Sequence, residues 1–218
     1  MLINKKRFQF LLAAMVLFIM AYNPITKYLV DQAKHPTRFI GQLITNIWSS
    51  YFETLSIWSN NLVYLPEGST ILDVGFGGGS NIKYINKTIA NVTLYGIDIS
   101  QESLKTAARN NQNGITKGNI SLSVQDVAAM AFDDAMFDTI FVIQSHMYWN
   151  QLDDGLRQCY RTLTDHGTLV IASEIDKINY HLSEYSNHDL FKNHLQKLGF
   201  TKVTVRIKGN YVAFICNK

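Results

Sequence analysis

Cysteine, charge and long apolar runs are all scarce in this 218-residue chain, and each scarcity removes a class of function. Only Cys159 and Cys216 are present, in a predicted helix and the last predicted strand, with no C-x-x-C pair. That argues against a disulfide-stapled scaffold and a zinc finger, and reads as two reduced core thiols in a cytoplasmic setting. Charged residues make up 17% of the chain and the formal net charge is +3, with lysines and arginines scattered after residue 7. A nucleic-acid footprint would gather them on one face, so no nucleic-acid partner is expected. Apolar residues, at 47%, are too many for a disordered chain. There is no internal repeat and no low-complexity segment.

The apolar run from Phe8 to Tyr22 is broken only by Gln9 and follows Lys5-Lys6-Arg7. As a helix it would rise roughly 22 Å, short of the ~30 Å hydrocarbon core of a bilayer. The sequence FIMAYNP after it offers no A-x-A cleavage site. Lys27, Lys34 and Arg38 balance the basic residues ahead of it, so no orientation follows. Two readings stay open: a helix buried against the domain or against a second copy in a homodimer, and membrane-surface attachment through residues 8–22.

A chain of this length holds one ordinary core with an extension. We place the extension at residues 1–65, with helices at 8–22 and 38–64 capping the substrate side, and the domain at 66–218. Residues 38–64 carry apolar side chains three or four apart (Ile40, Leu43, Ile44, Ile47, Trp48, Tyr51, Leu55, Trp58, Leu62), the spacing of amphipathic helices. From residue 70 short apolar runs alternate with helical stretches. TILDVG, VTLYGID, ISLSVQD, FDTIFVI and GTLVIAS predict five strands of a parallel sheet covered on both faces. Helices are expected at 81–89, 101–111, 151–163 and 188–198. KVTVRIK and YVAFIC, joined by Gly209-Asn210, predict an antiparallel hairpin with one wet face on its first strand.

Between the first strand and its helix lies GFGGGS, where backbone N–H groups and a helix N-terminus can face a ligand. A P-loop would need Lys then Ser or Thr after the last glycine, and Ser80-Asn81 stands there instead. The dinucleotide fingerprint G-x-G-x-x-G, counted from Gly75, meets Ser80 at its last glycine, which weakens a nicotinamide reading.

LDVGFGGGS resembles the first motif, D-x-G-x-G-x-G, of class I S-adenosylmethionine-dependent methyltransferases, with Asp73, Gly75, Gly77 and Gly79 in the matching positions and Phe76 among them. Three further matches follow in order. Asp98, ending LYGIDIS and followed by Ile99, stands where the family's acid binds the ribose hydroxyls of the cofactor. Asp126 and the backbone of Val127, in VQDVAAMAF, stand where the adenine is met. FDTIFVIQSHMYWN resembles the fourth strand and the loop bordering cofactor and substrate, which brings in Gln144, His146, Tyr148 and Trp149. The resemblance covers residues 66–218. It implies an α/β, Rossmann-like, doubly wound seven-stranded sheet with an antiparallel C-terminal hairpin, S-adenosyl-L-methionine as cofactor, and methyl transfer to an acceptor.

Each residue also has a structural reading. Asp98 could cap the next helix, Asp126 could be a turn acid, and Tyr148 and Trp149 could wall a substrate pocket or pack under the following helix. His146 is the expected catalytic residue, as a general base, with positioning or packing as its structural reading. His181, His188 and His194 lack the partners of a metal site, and none is expected. The loop QSHM replaces the [N/D/S]-P-P-[Y/F] of amino-methylating DNA enzymes, so the acceptor is expected to be a small molecule. A non-catalytic cofactor-binding or membrane-attached interaction protein, and less well an NAD(P)-dependent oxidoreductase, remain as alternatives.

Overall fold

The computed structural model describes residues 53–218. The apolar segment 8–22, and the part of the 38–64 segment before residue 53, lie outside the described residues. Helix α1 (Glu53–Asn60) is followed by β1 (Thr70–Val74), α2 (Ser80–Thr88), β2 (Thr93–Asp98), α3 (Gln101–Asn110), α4 (Gln112–Lys117) and β3 (Ile120–Val124). Then come β4 (Phe137–Ile143), α5 (Leu152–Thr162), β5 (Leu163–Glu174), α6 (Ile175–His181), α7 (His188–Lys197), β6 (Lys202–Lys208) and β7 (Tyr211–Asn217).

The seven strands form one sheet in the order β3-β2-β1-β4-β5-β7-β6, parallel from β3 to β5 and antiparallel at β7 and β6. The expected α/β doubly wound architecture is therefore the observed one. Strands β1 and β4 are almost wholly buried because helices cover both faces, which is why their sequences are continuous apolar runs. On one face Leu55 of α1, Ile82 and Ile85 of α2 and Ala107 of α3 pack on Ile71, Leu94, Phe141 and Val170. On the other, Leu156 and Cys159 of α5, Ile178 of α6, and Phe191 and Leu195 of α7 pack on Leu72, Ile140, Leu169 and Phe214. Burying a side chain such as Leu55, which is 0% exposed, contributes on the order of 2 kcal/mol. The residues from 53 onward thus share the core of the sheet.

Three details differ from expectation. In β6 alternation predicts three inward apolar residues, yet only Val203 is buried; Val205 is half-buried and Ile207 exposed. Strand β6 is the outermost, with a neighbour on one side only, so its far end is left uncovered. Helices α4 and α6 were not expected, and β5 begins at Leu163 rather than near Gly167. The order reverses between β1 and β4, and ligands of open α/β sheets bind outside the carboxyl ends of the strands at that point.

Candidate active site

The loop after β1 reverses the chain into α2, and each of Gly75, Gly77 and Gly79 has a positive φ (76°, 52° and 76°), the region glycine adopts without a Cβ penalty. The three differ in what surrounds them. A Cβ on Gly75 would strike Ser145, and one on Gly79 would lie 2.8 Å from the Ala107 Cβ, so both keep room for the protein's own packing. A Cβ on Gly77 would meet nothing within 4 Å, so Gly77 is the glycine that turns its open side outward. Phe76 between them is buried in the core and anchors the loop.

The loop is also held from the side. Gly75 N–H donates to Ile97 O at 2.7 Å. The amides of Asn110 and Asn111, at the end of α3, donate to the carbonyls of Gly78 (2.8 Å) and Gly79 (3.0 Å). These two asparagines were missed from sequence; a polar pair closing a helix is not by itself a signal for contacts 32 residues away.

Asp98, at the end of β2, accepts from Gly77 N–H at 2.9 Å and from Ser100 N–H at 2.8 Å. It therefore fixes the glycine loop to the start of α3, while Ser100 is the N-cap of that helix, accepting from Ser103 N–H. Ile99 beside it is a large apolar side chain 52% exposed. After β3, Asp126 is exposed and caps a single 3-10 turn (Val127–Ala129) by accepting from Ala128 N–H at 2.9 Å, and Val127 is buried.

Asp73 lies within β1 and is 3% exposed. Its Oδ2 and the Nδ2 of Asn81 have no hydrogen-bond partner in the structure. Burial pushes the Asp73 carboxyl up to about 7, opposed by the Asn81 amide beside it and reinforced by the charge of Asp98.

The loop after β4 closes the other side. Gln144, with a φ of 54° that is uncommon outside glycine, bonds Glu174 of β5 twice: Nε2 donates to Oε2 at 2.9 Å, and Glu174 N–H donates to Oε1 at 3.0 Å. Glu174 was not singled out from sequence. Ser145 Oγ donates to Val74 O at 2.7 Å and ties this loop to β1. His146 is 1% exposed, its ring stacked on Phe191 at 5.5 Å and its Nδ1 3.4 Å from Ser173 Oγ. Burial drives its pKa down to about 3, so the ring is neutral at physiological pH, and its Nε2 has no partner. Tyr148 sets its ring against His181 at 4.8 Å; burial and then the charge of Glu174 raise its phenol above the ordinary value. Trp149 packs on α5, where Gly155 leaves the space its ring occupies. That packing also explains a glycine inside a helix.

Asp73, the glycine loop, Asp98, Asp126, Gln144, His146 and Tyr148 thus follow or end four neighbouring parallel strands at one edge of the sheet, and Glu174 adds the fifth. This edge, with the loop backbone, a carboxylate at the next strand and an exposed apolar side chain beside it, offers both hydrogen-bonding and apolar groups to a ligand. Among the described residues no cluster of three or more His, Cys, Asp or Glu could hold a metal ion, and no helix is long and apolar enough to cross a membrane.

Residues 72–171 match the family described as a methyltransferase domain. An uncharacterized methyltransferase of Bacillus subtilis, YdaC, is 29% identical over 122 residues, which are 56% of this chain and 65% of that protein. The phosphoethanolamine N-methyltransferase of Plasmodium falciparum is 28% identical over 146 residues, 66% of this chain and 51% of that one. The chain thus spans less than two thirds of either relative. A crystal structure of a SAM-dependent methyltransferase from Aquifex aeolicus superimposes with a TM-score of 0.65 at 19% identity, covering 77% of this chain and 92% of that one; at that identity the likeness is one of fold.

Proposed function

We propose that this chain is a class I S-adenosylmethionine-dependent methyltransferase, which binds S-adenosyl-L-methionine and methylates a small-molecule acceptor. The observation that carries the reading is the outward-facing Gly77, its N–H bonded to Asp98. The residues present fit the cofactor. Asp73 carries an orphaned oxygen suited to an ammonium group, Asp98 offers a carboxylate to a ribose diol, and Ile99, Asp126 and the Val127 backbone offer an apolar surface and polar groups to an adenine.

When bound, the cofactor supplies a methyl group on a sulfonium sulfur, open to in-line displacement. The chain's own residues position the acceptor and exclude water. Gln144 and Glu174 brace the edge of β4 and β5, and we assign Tyr148, whose ring rests on His181, to the wall of the acceptor side. His146 is buried and neutral, stacked on Phe191 beside Ser173, so we assign it to orienting the 144–149 loop. A small acceptor is the class supported by the phosphoethanolamine and hydroquinone methyltransferases among the relatives, which are named for small molecules.

Calorimetric titration of the full chain with S-adenosylhomocysteine, and in parallel with NADH, tests the reading. Binding of the first is expected, weakened by at least about tenfold in Asp98→Ala. Binding of NADH alone would overturn it in favour of an oxidoreductase. Silence from both, in a folded protein, would overturn it in favour of a non-catalytic interaction protein.

A further inference from the structure

The interior under the glycine loop holds three polar side chains from three different elements. Asn60 ends α1, Asp73 lies in β1, and Asn81 opens α2; they are 6%, 3% and 4% exposed. Asn60 Nδ2 donates to Ser56 O at 2.8 Å and to Asn81 Oδ1 at 2.7 Å. An amide nitrogen has two hydrogens, so these two bonds use both and fix which way the Asn60 amide faces. The same bond fixes Asn81: with its oxygen engaged by Asn60, its Nδ2 is left for the Asp73 side. Asn60 Oδ1, Asn81 Nδ2 and Asp73 Oδ2 are buried without a well-formed hydrogen bond, although the Asn81 amide lies near enough to Asp73 to favour its ionised form. Buried polar atoms without partners are costly and rare, and here they gather on both sides of one loop.

We propose that Asn60 is a positioning residue for the cofactor: through Asn81 it holds the Asp73 carboxylate ready for a ligand ammonium group, and so couples α1 to occupancy of the glycine loop. The inference rests on the methyltransferase reading above and adds to it a role for a helix outside the matched family region, which starts at residue 72.

The coupling is electrostatic as well as geometric. The Asp73 carboxyl holds its proton up to about pH 7, mostly through burial, and the Asn81 amide is what favours its ionised form. The other charge bearing on it is Asp98 of β2, which disfavours ionisation. Strand β4 places Phe141 opposite Asp73, and its acid, Asp138, bonds Thr70 N–H at the start of β1. Lys83 and Lys87 of α2 and Glu53 of α1 are exposed. An ammonium-bearing ligand selects the ionised carboxylate, so its affinity rises as pH rises through the Asp73 pKa. Without Asn60 to hold it, Asn81 rotates, the ionised form loses its support and the pKa rises.

The test is calorimetric titration of the full-length protein with S-adenosylhomocysteine from about pH 5.5 to 9, for wild type, Asn60→Ala and the near-isosteric Asn60→Asp. In wild type, affinity should rise with a midpoint near neutrality. In both variants the midpoint should move upward, with binding at least about fivefold weaker at pH 7 and a smaller gap at pH 9. Thermal unfolding shows that each variant is folded, and a purely structural Asn60 would lower the melting temperature without moving the midpoint. Wild-type binding that is flat in pH, or variant midpoints equal to wild type, would overturn this inference while leaving the methyltransferase reading intact. No binding by wild type at any pH would overturn both.

Discussion

Asp73 shows at the scale of one residue how a site is set against the stability of its fold. In the folded chain it keeps its proton up to about pH 7, whereas its ordinary value is 3.8. Between those values the native state holds one more proton than the unfolded state, so stability falls as pH rises through the window and stays reduced above it. Asp73→Asn, which cannot ionise, should flatten that fall and leave the protein more stable than wild type at pH 8, by roughly 1–4 kcal/mol. Chemical denaturation at pH 5 and pH 8 measures it; parallel losses in both proteins would mean that Asp73 titrates like an exposed acid. The acid itself was legible in the sequence, because a carboxylate inside an apolar strand beside a glycine loop is anomalous. Its partners were not: Asn81 and Asn60 are ordinary polar residues on helices, 21 positions apart, and only folding puts them together.

At the scale of elements, one side chain of α5 makes several of the bonds that hold the segment between β3 and β4. Arg161 of α5 donates to the carbonyls of Phe132 (2.8 Å) and Met130 (3.2 Å) and pairs with Asp134 at 2.6 Å. Asp134 is 77% exposed, so the ion pair contributes little and the carbonyl bonds contribute most. Arg161→Ala should therefore cost about 1–3 kcal/mol, against less than about 1 kcal/mol for Asp134→Ala. Denaturant midpoints for the two variants check it, and equal losses would reverse the assignment. The strands were legible because a sheet covered on both faces needs uninterrupted apolar runs, and the Gly-Asn turn marked the hairpin. Helices α4 and α6 were not, being six and seven residues long, and α4 carries Gly114 in its middle, where a Cβ would strike Ile120.

At the scale of the whole molecule, the strand order alone brings the site together. Motifs separated by about 25 residues along the chain become neighbours because β3, β2, β1, β4 and β5 lie side by side and end on one edge. This is why the linear motif order pointed to the proposed cofactor side, while the Gln144–Glu174 brace, 30 residues apart, did not show. The same sheet also determines how the chain meets reagents in solution. Cys159 on α5 and Cys216 on β7 are both 0% exposed, and burial pushes the Cys159 thiol up to about 12. They are the only thiols in the chain, so the native protein offers nothing to an alkylating agent until the core parts. Labelling by such an agent, followed by mass spectrometry, should be slow in buffer, complete in denaturant, and slower still with saturating S-adenosylhomocysteine. Two silent sulfurs thereby serve as an internal clock for the opening of the molecule, with no probe added.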